Sequence, residues 1–255
     1  MATEYTSFDA PTCKLKWGRH RIREFAWILK QYEQANPVTQ KHIGSEIVVE
    51  RQLSPPDELA LVLGDAIHNL RTALDLLAGD LVRRNRKNAT GVYFPFAKSE
   101  SDLDKQIRNK KFGRAGQAAV SLLRKLAPYR GGNEELRGLH ELDIMDKHQL
   151  IIPVFQGFQM FECRVKGPNG VMAFNVNGPG DGFSISATSD DILTWDSLQF
   201  FFVFSREVPV IFAEKPVVDT LERLATLVEG VVELFRTCPT DETPRESTRE
   251  DDEAK

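Results

Sequence analysis

Residues 55–84 read PPDELALVLGDAIHNLRTALDLLAGDLVRR, and the fold turns on this stretch. Two prolines and Asp57 open a helix, because proline is tolerated only in a first turn, where its missing N–H costs nothing. Ser54 and Asp57 are competing N-caps. At about 100° per residue, Leu59, Leu63, Ile67, Leu70, Leu74, Leu77 and Leu81 fall on one face. Gly64, His68, Arg71 and Asp75 fall on the other, spaced by four, three and four residues, with Asp65 and Thr72 beside them. The spacing predicts an amphipathic helix to about Arg84 whose polar face carries an imidazole, a guanidinium and carboxylates.

Working outward, 11–35 reads as a helix capped at Asp9 or Thr12, with Leu15, Ile22, Ala26 and Leu29 as its stripe and Pro37 as its stop. Residues 46–53 are β-branched enough for a short strand. Helices are expected near 100–110 and 116–126, and another from the Asn133 cap to His148. Tyr93-Phe94-Pro95-Phe96 forms an aromatic extended segment. Past residue 150 the pattern becomes short β-branched and aromatic runs at 151–155, 158–165, 171–176, 183–187, 198–204 and 208–212, punctuated by glycine and proline. Gly167-Pro168-Asn169-Gly170 predicts a hairpin over 158–176. Residues 216–236 return to helical spacing with Val217, Leu221, Leu224, Val228, Val231 and Phe235. The expected architecture is therefore α+β: an antiparallel helical bundle over 1–236, a β-rich insertion at about 150–213, and a closing helix that rejoins the bundle. A separate C-terminal domain starting near 150 is the alternative.

Composition narrows the function classes. The 255 residues include only three cysteines, Cys13, Cys163 and Cys238, with no CxxC spacing, which fits reduced thiols and a cytoplasmic protein and offers no zinc-finger ligand pairs. Residues 1–9 lack a secretory pattern, and no run approaches the roughly 20 apolar residues of a membrane span. The net charge of −4 belongs to 241–255, with seven acidic and three basic residues. The tail from 237 is expected to be disordered for want of apolar side chains. Residues 82–130 carry thirteen Lys or Arg against three acids, and 14–30 carry six against one. Clustered cations of this kind fit a polyanion partner, since phosphate contacts release counterions; solvated helix faces are the other explanation.

The row His68, Arg71, Asp75 can carry chemistry. Residues three or four apart meet on a helix surface. A histidine titrates near neutrality, an arginine offers a fixed cation to phosphate, and Asp75 can orient either. Activating a ribose hydroxyl while neutralising phosphorane charge needs that set. The competing reading is a wet helix side holding an Arg71–Asp75 pair. A second group lies at 140–148, HELDIMDKH, where His140, Asp143 and Lys147 share a face and Asp146 and His148 follow; it can equally be a polar helix end. Asp65, His68, Asp143, Asp146 and His148 are metal-ligand types, but HExxH and ExxH are absent. No GxGxxG, GxxxxGK[ST] or GxSxG element stands in a suitable context, so no cofactor is expected.

Leu63 to Leu77, with its GDAIHNLRTALD core, resembles a segment of many bacterial proteins of unassigned function. In these a GDxxHNLRxALD helix is followed by an aromatic-Pro segment (here 93–96), a Pro-Tyr pair (Pro128-Tyr129) and a helix ending in Asp-Lys-His (Asp146-Lys147-His148). The match spans about 58–151. That group is similar to the HEPN superfamily of helical bundles, many of them dimeric, metal-independent ribonucleases. The resemblance implies RNA as a partner through 82–130, homodimerisation, and Arg71 as the arginine of an Arg-x4–6-His signature. The histidine of that signature is missing, since Leu76, Leu77 and Ala78 stand in its place; His68 precedes Arg71 instead. The expected catalytic residues are thus Arg71, His68 and Asp75, with Asp65, Asp146 and His148 in support. A catalytically lapsed RNA binder, a non-enzymatic interaction protein and a metal-dependent hydrolase of helical-bundle type are the alternatives.

Overall fold

Seven leucine and isoleucine side chains on one stripe need a partner surface, and in the structure they find it on three sides. The computed structural model of the chain describes residues 8–35, 38–51, 54–149, 152, 154–167, 170–179, 182–186 and 190–241. These form an α+β fold of six helices and seven strands. Helices α1 (Asp9–Ala35), α2 (Glu58–Arg84) and α6 (Val217–Arg236) pack together, with α5 (Glu134–Gln149) against α2. Leu63, Ile67, Leu70, Leu74 and Leu77 of α2 are wholly buried, as are Leu221, Leu224 and Val228 of α6. The last helix therefore returns to the core built by the first two.

The α1–α2 contact depends on Gly18. A methyl group there would stand 2.9 Å from Leu70 Cδ2 and 3.2 Å from its Cγ, in a site with no exposure. Gly18→Ala gains about 1 kcal/mol of helix propensity but overpacks a filled core at a cost of about 1–3 kcal/mol. A net loss of about 1 kcal/mol is expected by thermal denaturation; a variant as stable as the parent would show that Leu70 can step aside.

Short elements close the bundle. Helices α3 (Glu100–Asn109) and α4 (Gln117–Leu126) flank a 3-10 turn at Phe112–Ala115. Phe94 sits at the hub, wholly buried, with Phe96, Phe112 and Phe235 rings 5.2, 6.0 and 6.3 Å away. The Asn133 cap is as expected, its side chain accepting the Leu136 N–H at 3.0 Å. Asp57 makes no side-chain cap, and Thr12 bonds back to the Phe8 carbonyl instead of starting α1.

The β region departs from expectation in its membership. Strands β1 (Val38–Ile43) and β2 (Glu46–Arg51) form a hairpin between α1 and α2. β2 then pairs with β5 (Gly182–Ser186), Glu46 opposite Ser186, giving a three-stranded sheet. β3 (Val154–Gly167) is the long strand of the second sheet, pairing with β4 (Gly170–Pro179), β6 (Ile192–Thr194) and β7 (Ser197–Phe204). Ile47 and Val49 from one sheet share a small core with Cys163, Val165 and Leu193 from the other. So the insertion expected at 150–213 is not self-contained; it is completed by a hairpin from the other end of the chain. The 158–176 hairpin is present, with Gly167 opposite Gly170.

Three expectations need correction or limits. Residues 208–212 are not a strand: Pro209 cannot donate to a ladder, and Phe212 N–H and Lys215 N–H instead close tight turns onto Pro209 and Phe212 carbonyls. The chain does not loosen at 237, because Cys238 is buried and the Asp241 N–H donates to Asn85 Oδ1 at 2.9 Å. The acidic residues 242–255, together with Pro37, 52–53 and 151, lie outside the described residues.

Candidate functional site

The polar row of α2 is only partly open to water. It faces α5 and the 93–96 segment, and the first consequence concerns Arg71. Its side chain is only 8% exposed. The guanidinium lies 4.4 Å above the Phe96 ring, donates from Nε to His140 Nδ1 at 3.2 Å, and approaches Asp75 Oδ1 at 2.7 Å through Nη1. Asp75 Oδ1 also accepts the Phe94 N–H at 2.9 Å. His140 stacks on Phe96 with centroids 4.4 Å apart and planes 12° from parallel. Burial, and next to it the Arg71 charge, hold the His140 imidazole down to about 3. It is therefore neutral, and since arginine can only donate, Nδ1 is its acceptor nitrogen and Nε2 carries the proton.

One turn earlier on α2, His68 forms a different unit. Its Nδ1 is 2.9 Å from Asp143 Oδ1, a carboxylate with 4% side-chain exposure. The other oxygen of Asp143 accepts from Lys147 Nζ at 2.6 Å. A carboxylate at Nδ1 places the proton there and leaves Nε2 as an acceptor. Thr72 Oγ1 lies 3.3 Å from Nε2, which makes a hydroxyl–imidazole–carboxylate series across two helices. The His68 side chain is 43% exposed. It lines a pocket of about 280 Å³ with Leu61, Gly64, Asp65 and Asp146.

Besides His68, the ionisable side chains lining this pocket are the carboxyls of Asp65 and Asp146. Burial, and next to it the Asp143 charge, push the Asp146 carboxyl above the usual carboxylate range. A methyl group at position 64 would run into that carboxyl group, so the glycine of the GD pair is what lets α5 bring Asp146 beside α2. Asp65 turns toward α1, where Arg21 Nε is 3.0 Å from its Oδ2. Lys14 Nζ reaches Asn69 Oδ1 at 2.9 Å on the same side.

Of the residues anticipated, His68, Arg71, Asp75 and Asp146 lie along the seam of α2, Asp65 lines the His68 pocket but pairs with Arg21 of α1, and His148 is exposed at the end of α5 and enters none of these contacts. The residues that complete the seam, Asp143, His140 and Lys147, were visible as the second polar group of the sequence; what was hidden was that the two groups are one. Thr72 was signalled by its spacing from His68, and Phe96 had no signal beyond its aromaticity. Among the described residues no group of three His, Cys, Asp or Glu side chains is arranged to hold a metal ion. A larger cleft of about 500 Å³ lies between α5 and 207–211, but its Arg130 and Glu141 satisfy one another at 2.9 Å and it contains no histidine. Compared with protein-family models, curated proteins and solved structures, the chain finds no match.

Proposed function

We propose that this chain is an RNA-associated, HEPN-like protein and that its working group is His68, in a metal-independent phosphoryl transfer. The observation that carries the reading is the 2.9 Å contact between His68 Nδ1 and buried Asp143, with the ring open on a pocket. An imidazole oriented by a carboxylate at one nitrogen is poised to take a proton at the other. In this scheme Nε2 accepts the proton of a ribose 2′-hydroxyl as that oxygen bonds to phosphorus. The phosphorus–O5′ bond breaks, and the leaving oxygen takes a proton from Asp146, whose raised affinity suits a donor. Asp143 and Lys147 position His68, and Arg71 and Asp75 act one layer deeper, as the clamp that fixes α2 on α5.

That clamp also supports a second reading, a non-enzymatic interaction protein. A guanidinium spent on Phe96, His140 and Asp75 is an interhelical lock, and Arg71 is too enclosed to meet a phosphate directly.

The test is cleavage of a labelled RNA in the presence of chelator, with product ends analysed for 2′,3′-cyclic phosphate. His68→Ala is expected to reduce the rate at least about a hundredfold while leaving the chain folded, because the lost side chain is half-exposed and Asp143 keeps Lys147 as a partner. Equal cleavage by the variant, or none by the parent, removes the catalytic reading.

A further inference from the structure

Beyond the pocket, the basic stretch resolves into two kinds of cation. Arg83, Arg124 and Arg130 are bound to Asp80, Asp104 and Glu141, and Arg84 to the carbonyls of Arg236 and Cys238. Nine have no carboxylate partner among the described residues: Lys98, Lys105, Arg108 and Lys125, spread over and beside α3 and α4, and Arg86, Lys87, Lys110, Lys111 and Arg114. The last five are not scattered. Arg86 and Lys87 begin the loop that follows α2; Arg114 donates to the carbonyl of Asn88 in that loop at 2.9 Å. Lys111 Nζ lies against Gly91, and the Lys110 carbonyl accepts the Tyr93 N–H at 3.2 Å.

Tyr93 stands in their midst. Its residue is 49% exposed, between Val92 at 7% and Phe94 at 0%. Lys110 Nζ is 5.4 Å from the ring centroid. An aromatic ring pinned by two buried neighbours loses little freedom on binding, so it can serve as a fixed platform. Such a ring beside cations that have no carboxylate partner meets both needs of a polynucleotide strand: cations for phosphates and a face for an unstacked base. A duplex keeps its bases stacked inward and would leave the ring unused. A phosphopeptide or acidic membrane would use the cations alone.

One hydrogen bond ties this segment to the helix that carries His68. Phe94 is bonded to Asp75, which stands seven residues after His68 on α2, about 10 Å of helix rise.

We infer that Tyr93, with Arg86, Lys87, Lys110, Lys111 and Arg114, is a docking surface for single-stranded RNA. The inference rests on the RNA reading above. Its probe is a fluorescein-labelled, 2′-O-methylated oligouridylate of about twelve nucleotides, which cannot be cleaved, compared with a duplex of the same length by anisotropy across a salt series. The strand should bind more tightly than the duplex. Tyr93→Ala should weaken strand binding about tenfold or more with an unchanged salt slope, and Tyr93→Phe should restore it. Replacing Lys111 and Arg114 together with Ala should flatten the salt slope by about 1.4. Strand affinity unmoved by Tyr93→Ala, a duplex bound as well as the strand, or no binding at all would overturn the surface. If Tyr93→Ala changes nothing while His68-dependent cleavage persists, only the surface fails. Binding through Tyr93 without His68-dependent cleavage leaves the surface standing and removes the chemistry.

Discussion

Arg71→Ala is expected to lower the unfolding free energy by about 3–5 kcal/mol, the cost of stripping one partner from a buried charged pair. The side chain is 8% exposed, and three groups depend on it: Asp75 loses its cation, His140 loses a donor, and Phe96 loses the guanidinium covering its face. Arg71→Lys keeps the charge but lacks the planar fork that reaches His140 and Asp75 together, so it should recover less than half of the loss. Urea denaturation checks both. A loss under about 1 kcal/mol, the size of an exposed pair, would mean the clamp is ornamental. The same result bears on any assay of RNA cleavage: failure of Arg71→Ala to cleave would report a damaged bundle, whereas the half-exposed His68 can be removed with the scaffold intact.

Acid should loosen the molecule through His140. Its imidazole ordinarily gains a proton near 6.5, but burial and the neighbouring Arg71 hold that event down to about 3 in the fold. Between these values the unfolded chain binds a proton that the folded chain refuses, so stability falls as pH falls from 6.5 toward 3. At 1.36 kcal/mol per unit the full window corresponds to about 3–5 kcal/mol. His140→Gln removes the titrating group and keeps an acceptor for Arg71. The variant should lose less stability than the parent across that window, by several kcal/mol if the whole window is reached. Parallel pH curves would overturn the assignment. Asp146 runs the other way: its raised carboxyl favours the fold as pH falls, so it partly offsets the histidine and does not mimic it.

Which parts of this could be read in advance follows from what periodicity encodes. The leucine stripe of α2, the Asn133 cap, the hairpin closed by Gly167 opposite Gly170 and the return of α6 are local or periodic signals, and each appears in the structure. Periodicity says that Gly64, His68, Arg71 and Asp75 share a side, but not what approaches it. That depended on α5, whose own polar residues had been an independent cluster until the two faces met. The glycine at 64 was the available hint, since a missing side chain on a polar face marks a close neighbour. The hairpin at 38–51 was half seen: 46–51 is β-branched, while Thr39-Gln40-Lys41-His42 is polar and looks like a linker, being drawn into a sheet by its partner. The segment at 208–212 failed in the opposite sense, since its apolar residues suit a strand and Pro209 does not.

The pairing of β2 with β5 sets an order of events during synthesis. Glu46 meets Ser186 only after the intervening chain has left the ribosome, and until then β2 offers one edge of unanswered N–H and C=O groups. α1 and α2 can pack as soon as both are made, since their contact is close in sequence, whereas the sheet waits on closure of a very long loop. The vulnerable species on the way to the native state is a formed helical pair carrying an open β edge, the kind of exposed template through which chains aggregate.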